Sequence, residues 1–365
     1  MILVNYWWLI IWPILFLGVK WFLNSRIQGM TDSQGHIYWS WWESLLLGFP
    51  YVVWAGWRKF FGDTEQYRET FKRLPSTLEE LGPFMKTVEK GHGFRLFECL
   101  FRIYISHSDI AFFTLIAAIQ LLIILYFYRR YSTNFWLSFF FFVASTDYLT
   151  WMHNGIRQFV AVTIILFCTP LMAENKFIQA IILVLIASQI HATCLIFLPF
   201  IFVVNGRSWN TRTILFVISI VIAVLYVDQI TGLLTGIMQE SPYENDIIFL
   251  ETDNGTHFLR ALFYSVPAIM TLMFRSYLDK ADDPLMNICA NLSILTAGFY
   301  FFSIFTSGIL MGSIPIYFSL TNYILVPWLI REVFDRDSVV PVEIIFVMVY
   351  IAFFWFQCGP TWNLL

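Results

Sequence analysis

Apolar residues in this chain fall in long unbroken runs separated by short polar breaks. Runs near twenty residues match the length that an α-helix needs to cross a bilayer. They predict spans over residues 2–21, 37–57, 110–128, 135–151, 155–172, 214–227, 259–274, 285–305, 309–330 and 342–356. A transmembrane β-barrel would alternate apolar and polar positions over segments of about ten residues, and runs such as 214–227 do not alternate. The first run is full length and rich in Trp, so it reads as a span and not as a cleaved signal.

The run 177–204 differs: it is longer than one ordinary span, and His191 interrupts it near its middle. Basic residues cluster at Lys20/Arg26, Arg129-Arg130, Lys176, Arg207/Arg212, Arg275/Lys280 and Arg331/Arg336. Loops rich in Lys and Arg stay on the cytoplasmic side. All these clusters share that side only if 177–204 enters and leaves from it, turning over near Gln189–His191. The predicted fold class is therefore an all-α polytopic membrane protein of about 10–11 transmembrane helices, with a re-entrant helical hairpin over 177–204. The whole chain, 1–365, reads as a single membrane domain, with no internal repeat.

That topology puts segment 58–108, the turn around 153–157 and the acidic loop 228–258 on the outer side, facing the same way as the hairpin tip. Residues 94–104 have helical apolar spacing and predict an interfacial helix within 58–108. Loop 228–258 carries Glu240, Glu244, Asp246, Glu251 and Asp253 and no Lys or Arg; it reads as a solvated acidic loop.

Composition agrees with this picture. The chain is 58% hydrophobic and 13% charged, against roughly a quarter charged for soluble domains, which excludes a soluble globular enzyme. A net charge of −3 argues against a nucleic-acid partner. The five cysteines are scattered without metal-ligand spacing and read as small hydrophobes. No GxxxxGKS, HExxH or Gly-rich phosphate cradle is present, so neither a metal nor a cofactor is expected.

Charged and hydrogen-bonding residues at membrane depth are expensive, and each is a candidate for function. Arg157 follows Trp151-Met152-His153-Asn154-Gly155-Ile156 and precedes Gln158 and an apolar helix. Helical spacing puts Asn154 and Arg157 on one face, with His153 beside them. A planar guanidinium there suits bidentate binding of a diphosphate or carboxylate; the plainer alternative is an arginine snorkelling to the interface. His191, in Ser188-Gln189-Ile190-His191-Ala192-Thr193, is either a buried structural hydrogen-bonder or a group that takes a proton or holds a phosphate oxygen. Asp63 follows Gly62 just beyond the second span and is either a general base for a hydroxyl or a polar span exit. Glu43 is expected inside the second span, either paired internally or facing a cavity. Asp147 and Tyr148 read as interface residues. Asn254-Gly255-Thr256 matches a glycosylation sequon.

Asn154-Gly155-Ile156-Arg157-Gln158, then Ile186-Ala187-Ser188-Gln189-Ile190-His191-Ala192-Thr193 leading to Leu198-Pro199-Phe200, resembles the EpsG family of Wzy-type polysaccharide polymerases. Arg58, Gly62-Asp63-Thr64 and Tyr67 fit the same resemblance, as do Ile316-Tyr317-Phe318 and Leu325-Val326-Pro327. It implies a GT-C-like glycosyltransferase acting at the external face of the bacterial cytoplasmic membrane. Such an enzyme moves a growing glycan from undecaprenyl diphosphate onto a second lipid-linked repeat unit, as in O-antigen, capsule or exopolysaccharide synthesis. It would need no cofactor, and a chain-length regulator and a flippase are the implied protein partners. Under this resemblance Arg157, with Asn154, His153, Gln158, Arg58 and Tyr67, binds the lipid-linked substrate, and His191 and Asp63 are the catalytic candidates. The chain departs from the family pattern in one place. A second arginine is expected shortly before Tyr317, where Met311-Gly312-Ser313-Ile314-Pro315 stands; Arg260 is the candidate substitute. A lipid-linked oligosaccharide flippase, an O-antigen-ligase-like transferase and a membrane O-acyltransferase using His191 are the competing readings.

Overall fold

The computed structural model describes residues 6–24, 39–58, 61–239, 248 and 253–365. It is 78% helix, with no strand among the described residues, and the protein is an all-helical polytopic membrane protein. Among the described residues, four helices are long and apolar enough to cross a membrane: Asp109–Tyr131, Ile156–Ala173, Pro284–Ser303 and Arg336–Thr361. Three bent pairs raise the number to seven if each is one span. The other predicted spans correspond to shorter apolar helices such as Trp8–Leu23 and Phe135–Ala144, and to Trp41–Gly56. Breaks within the apolar runs, invisible to hydropathy, account for the difference from ten or eleven full-length helices. Arg26 and the acidic residues Glu240, Glu244, Asp246 and Glu251 lie outside the described residues.

The chain forms two compact units. The first comprises Met1–Thr87, Gly93–Thr163 and Phe334–Leu365. Helix Trp41–Gly56 packs along Asp109–Tyr131. A Cβ at Gly56 would collide with Thr114, so only glycine permits this approach. The helix starts with a capping box. Ser40 Oγ accepts from the Glu43 backbone N–H at 3.2 Å, and Glu43 Oε2 accepts from Ser40 N at 2.7 Å. Glu43 thus sits in the first turn rather than inside a span, and its other oxygen takes Lys20 Nζ at 2.6 Å.

Helix Trp8–Asn24 contains Pro13. Proline has no N–H, so the carbonyl of Leu9 lacks its helical donor. The hydroxyl of Tyr51 donates to it at 2.6 Å, and Tyr51's own carbonyl accepts the Tyr148 hydroxyl at 2.6 Å. This relay seats a break in the predicted span 135–151. The helix Phe135–Ala144 stops, Thr146 takes a left-handed conformation (φ +71°), and a short turn Asp147–Leu149 leads into a π-turn, Thr150–Asn154. Asp147 and Tyr148 are therefore fully buried and not interface residues. The reversal at Thr146 carries them into the interior.

The second unit comprises Val88–His92 and Ile164–Val333. Helix Pro284–Ser303 is its centre, packed by Phe258–Met273, Thr211–Leu225 and Cys168–Ala173. It starts at Asp283, whose carboxylate accepts from Leu285 N and Met286 N ahead of a proline at the first helical position. Two buried amides on this helix pin the loop 204–209. Asn287 Oδ1 accepts from Ser208 N at 3.0 Å, and Asn291 both accepts from Trp209 N and donates to Val204 O at 2.9 Å. The run 177–204 divides as its length implies. Helix Phe177–Ser188 ends at Gln189, a 3-10 turn spans Ala192–Ile196, and Phe197–Val203 packs back on the first half.

At the end of the acidic loop, Asp253 is half-buried and holds neighbouring groups. Its Oδ2 accepts from Ser307 Oγ at 2.9 Å and Ile309 N at 2.7 Å. Two residues on, Gly255 (φ +79°) lies against the carbonyls of Ser303 and Ile304. The Thr256 hydroxyl of the sequon accepts from Ser303 Oγ at 2.8 Å.

Candidate functional site

Within the first unit, three elements make up the candidate site: the stretch from Arg58 to Tyr67, the turn that precedes Arg157, and helix His92–Tyr104. Gly62 is left-handed (φ +49°), and a Cβ there would collide with Asn154. Glycine lets the chain run against that side chain, and Asn154 Oδ1 accepts the Asp63 backbone N–H at 2.7 Å. The predicted common face of Asn154 and Arg157 does not form as one helix. Asn154 closes the π-turn, Gly155 breaks it, and Arg157 lies in the next helix, Ile156–Ile165. π-turns concentrate at functional positions, and here the break turns Asn154 toward Asp63. Asp63 itself is exposed at the start of helix Thr64–Lys72. Gln158 and His153 are buried, and the His153 ring is edge-on to Tyr148 and Phe61 at 5.0 and 5.5 Å.

Arg58 is buried, at 6% exposure. Its Nη1 donates to the Ala55 carbonyl at 2.5 Å, its Nε to Thr64 Oγ1 at 3.2 Å, and its guanidinium lies 4.4 Å from the Phe113 ring centre. Burial lowers its pKa to about 10, so it remains charged at neutral pH. Tyr67 is half-buried and lies within electrostatic reach of Arg157, Asp63, Arg58 and Glu98. Burial pushes its phenol up, and the two guanidiniums oppose that.

The third element is helix His92–Tyr104, which buries Phe94, Glu98, Cys99 and Phe101. Phe94 and Phe101 pack on Phe112 with ring centres 6.1 and 5.2 Å apart, so the helix docks on protein through this face. Glu98 is 3% exposed and accepts from Arg95 Nη1 at 2.6 Å. Burial raises its carboxyl above the usual range, and Arg95, then Arg157, pull it back. The sequence reading passes over Glu98 and Arg95, and takes in Thr64 only as part of a resemblance, without a role. The signal for Glu98 was present: a carboxylate at helical spacing from Phe94 and Phe101, on the apolar face.

His191 belongs to the second unit, at the turn between the two halves of the hairpin. Its Nδ1 lies 2.7 Å from Thr193 Oγ1 and 3.5 Å from the Tyr317 hydroxyl. Thr193 Oγ1 and the Tyr317 hydroxyl are 2.7 Å apart. Two segments 124 residues apart in the chain thus meet at one hydrogen-bonded triangle. Tyr317 was noted in the sequence only as part of a resemblance, without a role. Arg260, in helix Phe258–Met273, stands over the rings of Tyr264 and Tyr300 at 5.7 and 5.9 Å. Among the described residues no group of three or more His, Cys, Asp or Glu side chains has the geometry of a metal site.

Comparison with curated proteins and with solved structures finds no match. The EpsG family model matches residues 41–359. That range takes in the Arg58–Tyr67 stretch, the Arg157 turn, the His191 hairpin and Tyr317, and the chain belongs to the EpsG family, the family of Wzy-type polysaccharide polymerases.

Proposed function

We propose that this protein is a polysaccharide polymerase that uses a lipid-diphosphate-linked donor. It transfers a growing glycan from undecaprenyl diphosphate to a second lipid-linked repeat unit at the external face of the cytoplasmic membrane. The observation that carries the reading is the convergence of Arg157, the buried Arg58 and Tyr67 in one unit, in a chain matched by the family over 41–359. A diphosphate leaving group gains negative charge as the glycosidic bond breaks, and preorganised cations at that point lower the barrier. Arg157 is assigned to that charge, with Asn154, Gln158 and His153 shaping its turn. Asp63, exposed beside it, is assigned to hydroxyls of the acceptor sugar. His191, held by Thr193 and Tyr317, is assigned to the acceptor proton or a phosphate oxygen. No nucleotide sugar enters this chemistry.

The test is polymerisation by purified protein supplied with undecaprenyl-diphosphate-linked repeat units. Arg157→Ala is expected to lose about 2–4 kcal/mol of transition-state stabilisation, roughly a hundredfold or more in rate. Arg157→Lys is expected to be nearly as damaging, because it keeps the charge and loses the planar fork. Both variants should accumulate in membranes at normal levels. Normal polymerisation by Arg157→Ala would return this residue to the snorkelling reading.

A further inference from the structure

At the turn between the two halves of the hairpin, one hydroxyl decides the state of His191. Thr193 Oγ1 lies 2.7 Å from His191 Nδ1 and 2.7 Å from the Tyr317 hydroxyl, while that hydroxyl is 3.5 Å from Nδ1. Thr193 is therefore the link, because the third edge is too long for a strong hydrogen bond. The arrangement is fixed from both sides. The carbonyl of Ala187 accepts the His191 backbone N–H at 3.0 Å, and the carbonyl of His191 accepts the Cys194 N–H at 3.2 Å, so His191 and Thr193 share one turn. Tyr317 is buried, and its neighbour Phe318 stacks on Phe197 of the hairpin's second half with ring centres 5.5 Å apart.

A hydroxyl carries one proton, so Thr193 donates to one partner and accepts from the other. Either Tyr317 donates to Thr193 and Thr193 to Nδ1, or Nδ1–H donates to Thr193 and Thr193 to the phenol oxygen. A phenol is a stronger acid than an aliphatic alcohol, and hence the better donor and the poorer acceptor. The imidazole lone pair is the most basic acceptor of the three. The first order ends on that lone pair; the second ends on the weakest acceptor. When Nδ1 accepts, neutral imidazole carries its proton on Nε2.

We propose that Tyr317 and Thr193 are positioning residues that hold neutral His191 as its Nε2–H tautomer, so that His191 donates a hydrogen bond to an anionic oxygen of the substrate and does not take the acceptor proton. The assignment rests on the polymerase reading above and chooses between the two roles given there to His191. In the transfer, the bond from the anomeric carbon to the phosphate oxygen breaks with its electron pair on that oxygen. The acceptor hydroxyl oxygen bonds the same carbon, and its proton passes to the departing diphosphate. An Nε2–H favours negative charge on an oxygen that faces it, and it has no lone pair with which to take that proton.

The test is nitrogen NMR of the full chain in lipid nanodiscs, with isotope-labelled histidine and at a pH where imidazole is neutral. The His191 signals are those missing from His191→Gln. In the wild type, Nδ1 is expected to appear as the unprotonated nitrogen and Nε2 as the protonated one. Thr193 is exposed, so Thr193→Val should accumulate normally; it removes the donor, and the two tautomers should mix. Tyr317→Phe should mix them less, and Thr193→Ser should keep the wild-type signals. Turnover of undecaprenyl-diphosphate-linked repeat units is the second readout. A glutamine N–H can replace a donor but not a base, so His191→Gln should keep about tenfold more activity than His191→Ala. A protonated Nδ1 in the wild type, or an unmixed tautomer in Thr193→Val, overturns the assignment. Equal loss of turnover in His191→Gln and His191→Ala overturns the donor role. The fixed tautomer in a protein that does not polymerise lipid-linked repeat units would support the positioning by Thr193 and Tyr317 and overturn the polymerase reading.

Discussion

At the scale of single residues, the site rests on a glycine as much as on its charges. Gly62 combines a left-handed backbone with direct approach to Asn154, and both conditions exclude a side chain. Gly62→Ala is expected to cost about 1–3 kcal/mol locally, because the new methyl must displace Asn154 and break its bond to the Asp63 N–H. Asn154→Ala removes the same acceptor but leaves the turn unstrained, so it should cost less, about 1 kcal/mol. Thermal unfolding and polymerisation rate, measured on both variants, check this order. If Gly62→Ala matches the wild type in both, the Asp63 turn is no part of the site. Other polar residues prove structural on inspection of their partners. Asn287 and Asn291 are spent on a loop, and Asp253 holds the backbone at Ile309.

At the scale of elements, two predictions concern how helices are held. The ion pair Lys20–Glu43 links Trp8–Asn24 to Trp41–Gly56, and Lys20 is only 4% exposed. Removing one partner takes away the compensation that the ion pair gives the other charge. Glu43→Gln is therefore expected to destabilise by on the order of 2 kcal/mol, less than a fully buried pair because Glu43 is 30% exposed. Lys20→Met combined with Glu43→Gln should recover part of that loss, measured as the thermal midpoint in detergent; a double variant worse than the single would refute the pairing argument. The second prediction concerns the hairpin. Its halves pack on one another across Gln189–His191, as the positive-charge pattern requires. Glu174→Cys and Asn205→Cys, placed in a background without the five native cysteines, should react with a membrane-impermeant thiol reagent from the same, cytoplasmic side. Labelling from opposite sides would make 177–204 a crossing segment and invert the sidedness of everything after it.

At the scale of the whole molecule, the polymerase reading makes a cellular prediction. Without the protein, repeat units are made and lipid-linked but not joined, so cells should accumulate single-repeat glycan on the carrier. Gel analysis of the lipid-linked glycan separates this outcome from the competing readings. Loss of a flippase would trap repeat units on the cytoplasmic side, and loss of a ligase would leave long polymer on the lipid. Long polymer in a deletion strain would remove the polymerase assignment.

The chain alone determined the class of the molecule, because a bilayer imposes length and apolarity on each helix and these are one-dimensional properties. Its helices fall where the apolar runs predict them, and the over-long run 177–204 announced its own division. The family was also legible, since Arg157, His191 and Asp63 stand in short local motifs. What the chain could not state was anything set by contacts between distant segments. The break at Thr146 depends on a hydroxyl relay from Tyr148 to Tyr51 to the carbonyl that Pro13 frees. Asp147 and Tyr148 end an apolar run and read as interface residues until that relay buries them. Glu98 comes within electrostatic reach of Arg157 only when its helix docks on Phe112, and Tyr317 meets His191 only across the packed second unit. Hydropathy records how much water a segment avoids. Which polar atoms then find one another is decided by tertiary packing.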